Sequence, residues 1–203
     1  MIEGLMQDVL RSRDGVRRRT TAAVAPLVLL CVAMVVSGCT VFKRPIQIPL
    51  PDHVAESALD RSMAVIGHPY VFGGQSPETG FDCSGLIIWA YAEVYKDLRL
   101  WDGCTLVDDA TMDTLWRWNV AHIRPEEMKP GDIVFITDND QRVSHGGLFI
   151  GWKTYLSEFW FINASSYVPL GEEVGSVRVD SWPVNGMKRD QWFVGAGRLL
   201  TSR

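Results

Sequence analysis

Three side chains in this sequence are of the types needed for nucleophilic attack on an acyl group: Cys83, His145 and Asn163. Cys83 falls in Phe81-Asp82-Cys83-Ser84-Gly85, directly before the apolar run Leu86-Ile87-Ile88-Trp89-Ala90-Tyr91-Ala92. That run predicts a buried helix with Asp82 as its cap. A cysteine in the first turn of a helix meets unpaired backbone N–H groups and the positive end of the helix dipole. Both favour the thiolate, which is the nucleophile. Free cysteine is also a common packing residue, so partners are needed before Cys83 becomes chemical. His145 stands in Ser144-His145-Gly146-Gly147-Leu148-Phe149-Ile150-Gly151, and Asn163 in Phe161-Ile162-Asn163-Ala164-Ser165-Ser166. If these are adjacent antiparallel strands, the start of one lies beside the end of the other and His145 meets Asn163. The three would then be a nucleophile, a base and an amide that fixes the base's tautomer.

The elements that must position them divide the chain in two. Residues 53–66 mix apolar and charged residues in a helical pattern that Gly67 ends. His68-Pro69-Tyr70-Val71-Phe72 then leads into Gly73-Gly74, whose lack of Cβ permits close approach of another backbone or a ligand. Residues 97–128 carry Trp101, Trp116 and Trp118, with a weak helical pattern over 108–118. Such aromatics serve a core or narrow a ligand groove. His122, a lone histidine there, is expected to be structural or exposed. From Lys129-Pro130-Gly131-Asp132 onward the period is that of strands, at 133–137, 147–151, 158–164, 176–180 and 191–200, separated by turn signals that include Asp138-Asn139-Asp140. Helices first and strands after predict an α+β fold, with the Cys83 helix packed on a mainly antiparallel sheet of five to six strands.

At 203 residues and 47% hydrophobic, the chain suits one domain after a leader is removed. Arg17-Arg18-Arg19, an uncharged stretch from Thr20 to Ser37 and the junction Val36-Ser37-Gly38-Cys39 read as a bacterial export signal. The junction resembles a lipobox, which implies cleavage before Cys39 and lipidation of Cys39. The domains expected are a signal peptide at 1–38, a lipidated tether at 39–52 and a catalytic domain at 53–203. Removing 1–38 leaves 15 basic against 21 acidic residues, a net charge of −6. With no Lys/Arg cluster, such a domain is a poor partner for nucleic acid. Of the four cysteines, Cys31 lies in the signal and Cys39 goes to lipid, so only Cys83 and Cys104 could pair. A nucleophilic Cys83 must stay reduced, and Cys104 is therefore expected as an unpaired packing residue. No metal or other cofactor is expected, because the four histidines form no zinc-binding pair.

Six segments, taken in order, resemble the NlpC family of bacterial cell-wall cysteine peptidases. They are Tyr70-Val71-Phe72-Gly73-Gly74, Phe81-Asp82-Cys83-Ser84-Gly85-Leu86, residues 129–135, residues 144–151, residues 161–166 and Phe193-Val194-Gly195-Ala196. The resemblance implies a papain-like fold and hydrolysis of stem peptides of peptidoglycan, commonly between γ-D-glutamyl and a diamino acid. It further implies Cys83 as nucleophile, His145 as base, Asn163 as third polar residue and Tyr70 near the oxyanion. Asp82 and Ser84 match positions that in some members hold the substrate's free amine, although a helix cap explains Asp82 equally well. Two residues depart from the usual pattern: Asn163 where His is frequent, and Phe72 where Trp follows Tyr-Val. The expected protein is a monomeric peptidase anchored to the cell envelope by its N-terminal lipid. The other readings are a wall amidase or acyl transferase on the same fold, or a non-catalytic peptidoglycan-binding lipoprotein.

Overall fold

The computed structural model describes residues 43–138 and 142–203. The expected signal peptide, Cys39, and the Asn139-Asp140 part of the expected turn lie outside the described residues. Arg44–Arg203 form one compact unit. In chain order its elements are β1 (Gln47–Pro49), α1 (Asp52–Met63), β2 (Gln75–Ser76), β3 (Gly80–Phe81), α2 (Cys83–Val94), β4 (Leu100–Trp101), β5 (Leu106–Val107), α3 (Met112–Trp118), β6 (Val120–Ile123), a 3₁₀ turn (Pro125–Glu127), β7 (Ile133–Thr137), β8 (His145–Thr154), β9 (Glu158–Ser165), β10 (Ser176–Pro183), β11 (Met187–Lys188) and β12 (Gln191–Ser202).

The main sheet runs β1-β12-β7-β8-β9-β10, with β6 and β11 also paired to β12, and its strand pairs are antiparallel. The α+β class and the five long strands match the sequence pattern. The six strands of the continuous path agree with the five to six expected, and among the described residues β6 and β11 on β12 bring the sheet to eight; β1, β6 and β11, at two to four residues, are too short to show alternation. β1 lies in the stretch expected to be a tether, where Gln47 pairs with Ser202 at the far end of the chain. Helix α1 stops at Met63, and a turn continues to Gly67, which has φ +90°.

Helix α2 is the centre of the core. Leu86, Ile87, Ala90 and Tyr91 are buried in one cluster with Leu148 of β8, Ile162 and Ala164 of β9 and Val177 of β10. Each buried side chain of Leu or Ile size is worth about 1.5–3 kcal/mol, so the helix is held mainly by its apolar surface. Its tip is fixed by polar contacts. Asp82 Oδ1 accepts from Gly85 N at 2.7 Å and from Ser84 Oγ at 3.1 Å, while Oδ2 accepts from Gly73 N at 2.9 Å. The paired glycines do allow close approach: a Cβ on Gly85 would stand 2.1 Å from the Gly74 carbonyl oxygen. Backbone, which cannot rotate away, fills that space.

The tryptophan-rich stretch serves the frame. Trp101 is buried, and Trp116 packs on Phe135 with ring centroids 4.9 Å apart. Buried Asn119 clamps the stretch, accepting from Trp101 N at 2.7 Å and donating to the Trp101 and Thr114 carbonyls. His122 sits edge-on to Trp116, as expected of a structural histidine. Cys104 is free but exposed. The expectation that it packs is therefore corrected: it occupies a tight turn whose Cys104 and Thr105 N–H groups donate to Asp102 Oδ1.

Replacing Gly85 by Ala is expected to lower stability by about 1–3 kcal/mol, because Gly74 must move or α2 must lift. Urea unfolding checks this: a lower midpoint at unchanged slope is the expected result, and an unaltered midpoint would show that the tip tolerates a Cβ.

Candidate active site

Cys83 is the first residue of α2, and its thiol points at the Ser144 carbonyl, 4.0 Å away. His145 is the first residue of β8. Asn163 is on β9, in a register that sets Leu148 opposite Ile162 and Phe149 opposite Phe161, so it lies diagonal to His145 rather than directly across. Diagonal neighbours on one sheet face are within reach of long side chains. His145 Nε2 and Asn163 Oδ1 are 3.1 Å apart.

The Asn163 amide settles the histidine's tautomer. Its Nδ2 donates to the Arg178 carbonyl at 3.2 Å, which turns Oδ1 toward the imidazole. Because Oδ1 can only accept, Nε2 carries the proton and Nδ1 keeps its lone pair. A lone pair on Nδ1 is what a proton acceptor for a thiol requires.

Around these groups lies a cavity of about 380 Å³ whose walls include Tyr70, Cys83, Ser144, His145, Trp182 and Arg189. Tyr70 is placed by backbone on two sides: its N–H donates to the Gly175 carbonyl, while the adjoining Pro69 carbonyl and Val71 N–H pair with Phe81. Trp101, Trp116 and Trp118 are absent from the walls. Of the two roles open to these tryptophans, packing rather than narrowing of the groove is the one observed for Trp101 and Trp116; the indole at the cavity is that of Trp182. Ser84 is buried, and its hydroxyl is spent on Asp82. Asp82 acts as the helix cap, with both carboxylate oxygens engaged.

Electrostatics correct one expectation. Burial, and after it the Asp82 carboxylate, push the Cys83 thiol up to about 12, against the opposing pull of the Ser84 and Cys83 backbone N–H groups. The helix tip does favour the thiolate, but desolvation and a neighbouring negative charge are stronger. Burial also holds His145 below the ordinary imidazole value, although the Asn163 hydrogen bond and the charge of Asp180 act upward. The resting pair is therefore thiol and neutral imidazole. Tyr70, raised first by burial and also by the charge of Asp82, stays a hydroxyl donor.

A charged layer behind Asn163 was missed from sequence. Asn163 Nδ2 lies 3.5 Å from Asp180 Oδ2, and that carboxylate also receives Arg178 Nε at 3.3 Å and the Arg189 guanidinium at 3.3–3.4 Å. Burial works to raise Asp180, but the hydrogen bond and charge of Arg189 and the charge of Arg178 hold it below the usual carboxylate range. The one available signal was alternation along residues 176–180, which puts Arg178 and Asp180 on one face; nothing local pointed to Arg189.

His145 is expected to titrate below 6.5 by NMR, and Asp180→Asn, which removes an upward influence, to titrate lower still. A midpoint above 6.5, or an upward shift in Asp180→Asn, would contradict this electrostatic ordering.

The NlpC/P60 family pattern matches residues 67–173, which is 107 of 203 residues. Murein DD-endopeptidase MepH of Escherichia coli is 29% identical over 151 residues, covering 72% of this chain and 46% of the relative. Gamma-DL-glutamyl hydrolase of Bacillus subtilis is 35% identical over 88 residues, covering 42% and 19%. Bifunctional muramidase/DL-endopeptidase CwlT of Bacillus subtilis is 33% identical over 98 residues, covering 47% and 26%. The chain thus spans less than half the length of these curated relatives. Among solved structures, a lipoprotein-like NLP/P60 protein of Staphylococcus aureus aligns with TM-score 0.46 at 24% identity, over 82% of this chain and 47% of that one. NlpC1 of Trichomonas vaginalis aligns with TM-score 0.48 at 24% identity, over 79% and 49%. The chain belongs to the NlpC/P60 family, with the α+β, mainly antiparallel fold that its sequence pattern led us to expect and the papain-like arrangement that the family resemblance implied.

Proposed function

We propose that this protein is a cysteine endopeptidase that hydrolyses amide bonds in the stem peptides of peptidoglycan. The observation that carries the proposal is the hydrogen bond from His145 Nε2 to Asn163 Oδ1, which frees Nδ1 as a proton acceptor in the cavity that also holds Cys83. In this reading Cys83 is the nucleophile, His145 the base and Asn163 its orienting partner.

The pKa ordering shapes the mechanism. An isolated thiolate is disfavoured, so the proton passes from Sγ to His145 as sulfur attacks the carbonyl carbon. Negative charge then develops on the carbonyl oxygen, where N–H groups at the α2 tip and the Tyr70 hydroxyl are the donors on hand. The imidazolium gives its proton to the departing amine, and the C–N bond breaks to leave a thioester on Cys83. A water, deprotonated by the same His145, hydrolyses the thioester and restores the thiol. Asp82 is assigned to the acyl side of the substrate, where Oδ2 keeps accepting capacity beyond its bond from Gly73 N, and Ser84, whose hydroxyl donates to Oδ1, positions that carboxylate.

The favoured bond is γ-D-glutamyl–diamino acid, in keeping with two relatives named as a gamma-DL-glutamyl hydrolase and a DL-endopeptidase. The relative covering most of this chain is named a DD-endopeptidase, which makes the D,D cross-link the second candidate. No described helix is long and apolar enough to cross a membrane. The membrane connection proposed is the lipid on Cys39, which would hold a monomeric domain in the envelope.

Mass spectrometry of defined muropeptides tests the proposal. Cleavage within the stem is expected, with Cys83→Ala lowering turnover at least about 1,000-fold while remaining folded. Release of intact stems from glycan would instead indicate an amidase, and retention of muropeptides without products a binding protein. The acid limb of the rate profile supplies a further prediction. Only neutral His145 can take the thiol proton, and its value is lowered, so activity should persist below pH 6.5 and fall as pH drops through that lowered value. An acid limb centred above 6.5 would argue against His145 as the base.

A further inference from the structure

The cavity wall carries a feature that the reaction just described does not use. β11 and β12 are joined by a two-residue turn, Arg189-Asp190, flanked by the pair Lys188–Gln191. Both turn residues have positive φ, at 54° and 59°. Turns of this type favour Asn-Gly, since a Cβ crowds the backbone at positive φ. The strained turn delivers the Arg189 guanidinium to a set position, with its central carbon 3.9 Å from the centroid of the Tyr167 ring and its Nη1 and Nη2 on the Asp180 carboxylate at 3.4 and 3.3 Å.

Asp180 does not require Arg189 to be neutralised. It already pairs with Arg178, whose side chain is 14% exposed, whereas that of Arg189 is 31% exposed. Glu172 is 3.9 Å from Arg178 and adds a weaker partner on that side. A guanidinium has five N–H donors. Two go to Asp180, and among the described residues the other three have no hydrogen-bond partner. Of the charged groups described on the cavity wall, Arg189 is the cation and Asp138 the anion.

The direction of the chemistry says which part of a substrate would meet this cation. His145 protonates the leaving amine, so the leaving residue lies on the imidazole side of the scissile bond. Arg189 is linked to that side through Asp180, Asn163 and His145. We propose that Arg189 binds a carboxylate carried by the leaving-group residue, making it a specificity determinant for acidic amine products. The ring of Tyr167 and the fork on Asp180 hold the guanidinium before the ligand arrives, which limits the entropy lost on binding. This inference rests on the endopeptidase reading for its substrate class.

The test uses the full chain and two stem peptides that differ only in the leaving diamino acid, its carboxylate being free in one and amidated in the other. The wild type should favour the free acid at least tenfold in kcat/KM, mainly through KM, and Arg189→Gln should bring that ratio close to one. A ratio of one in the wild type, or a ratio that Arg189→Gln leaves intact, overturns the proposal. Equal loss on both peptides, through kcat, would mean that Arg189 only supports Asp180 and His145, and overturns it too. If the wild type cleaves neither peptide, the endopeptidase reading is what has failed. Calorimetry with Cys83→Ala then decides the inference separately: tighter binding of the acid, lost on adding Arg189→Gln, supports it, and equal affinities refute it.

Discussion

Helix α2 buries side chains around most of its circumference, from Leu86, Ile87 and Ile88 to Ala90 and Tyr91, and so cannot lie on a surface. It must be enclosed, and the layers of the fold follow from that need. α1 covers one side, β8 and β9 the other, and the chain around Gly74, which leads into the β2-β3 hairpin, closes over the tip. The tip is the point where the enclosure is least adjustable, since Gly85 and Gly74 approach too closely for any side chain. A cysteine in the first turn of such a helix is fixed by the core behind it. Its position relative to β8 is therefore a consequence of hydrophobic packing, and needs no dedicated contact of its own.

The polar side of the site is built differently, from a row of groups that each fix the next. The Arg178 carbonyl turns the Asn163 amide, the amide turns the imidazole, and Asp180 stands behind with its charge matched by two arginines. A neutral amide as the orienting group contributes direction with little charge. The carboxylate one step removed supplies an upward electrostatic influence on His145 without contacting it. Burial nonetheless dominates both titrating groups, which favours proton transfer during attack over a preformed ion pair.

How much of this was legible in the sequence depends on the range of the interaction. Asp82, the apolar run after it and the period-two stretches from Ile133 onward are local signals, and they located α2 and the five long strands to within a few residues. The meeting of His145 with Asn163 was legible because strand order and direction bring a strand's start beside its neighbour's end. β1, β6 and β11 were not, because strands of two to four residues leave no periodicity. The ordering of the thiol's electrostatics also escaped, since it is the sum of opposing terms: the helix tip can be read locally, whereas burial and its magnitude belong to the assembled fold. Arg189 lies 26 residues from Asn163 in a turn that has neither Asn nor Gly, and only the closed sheet shows that it reaches the cavity.

The central claim, that Cys83 attacks an acyl carbon with His145 as its base, predicts a covalent intermediate. Mixing the protein with a defined stem peptide, quenching in acid within milliseconds and digesting for mass spectrometry looks for it directly. A thioester on the peptide containing Cys83, appearing before steady-state product, is the result expected. Full hydrolysis with no mass added to Cys83 at any time, and with turnover retained in Cys83→Ala, would contradict the account.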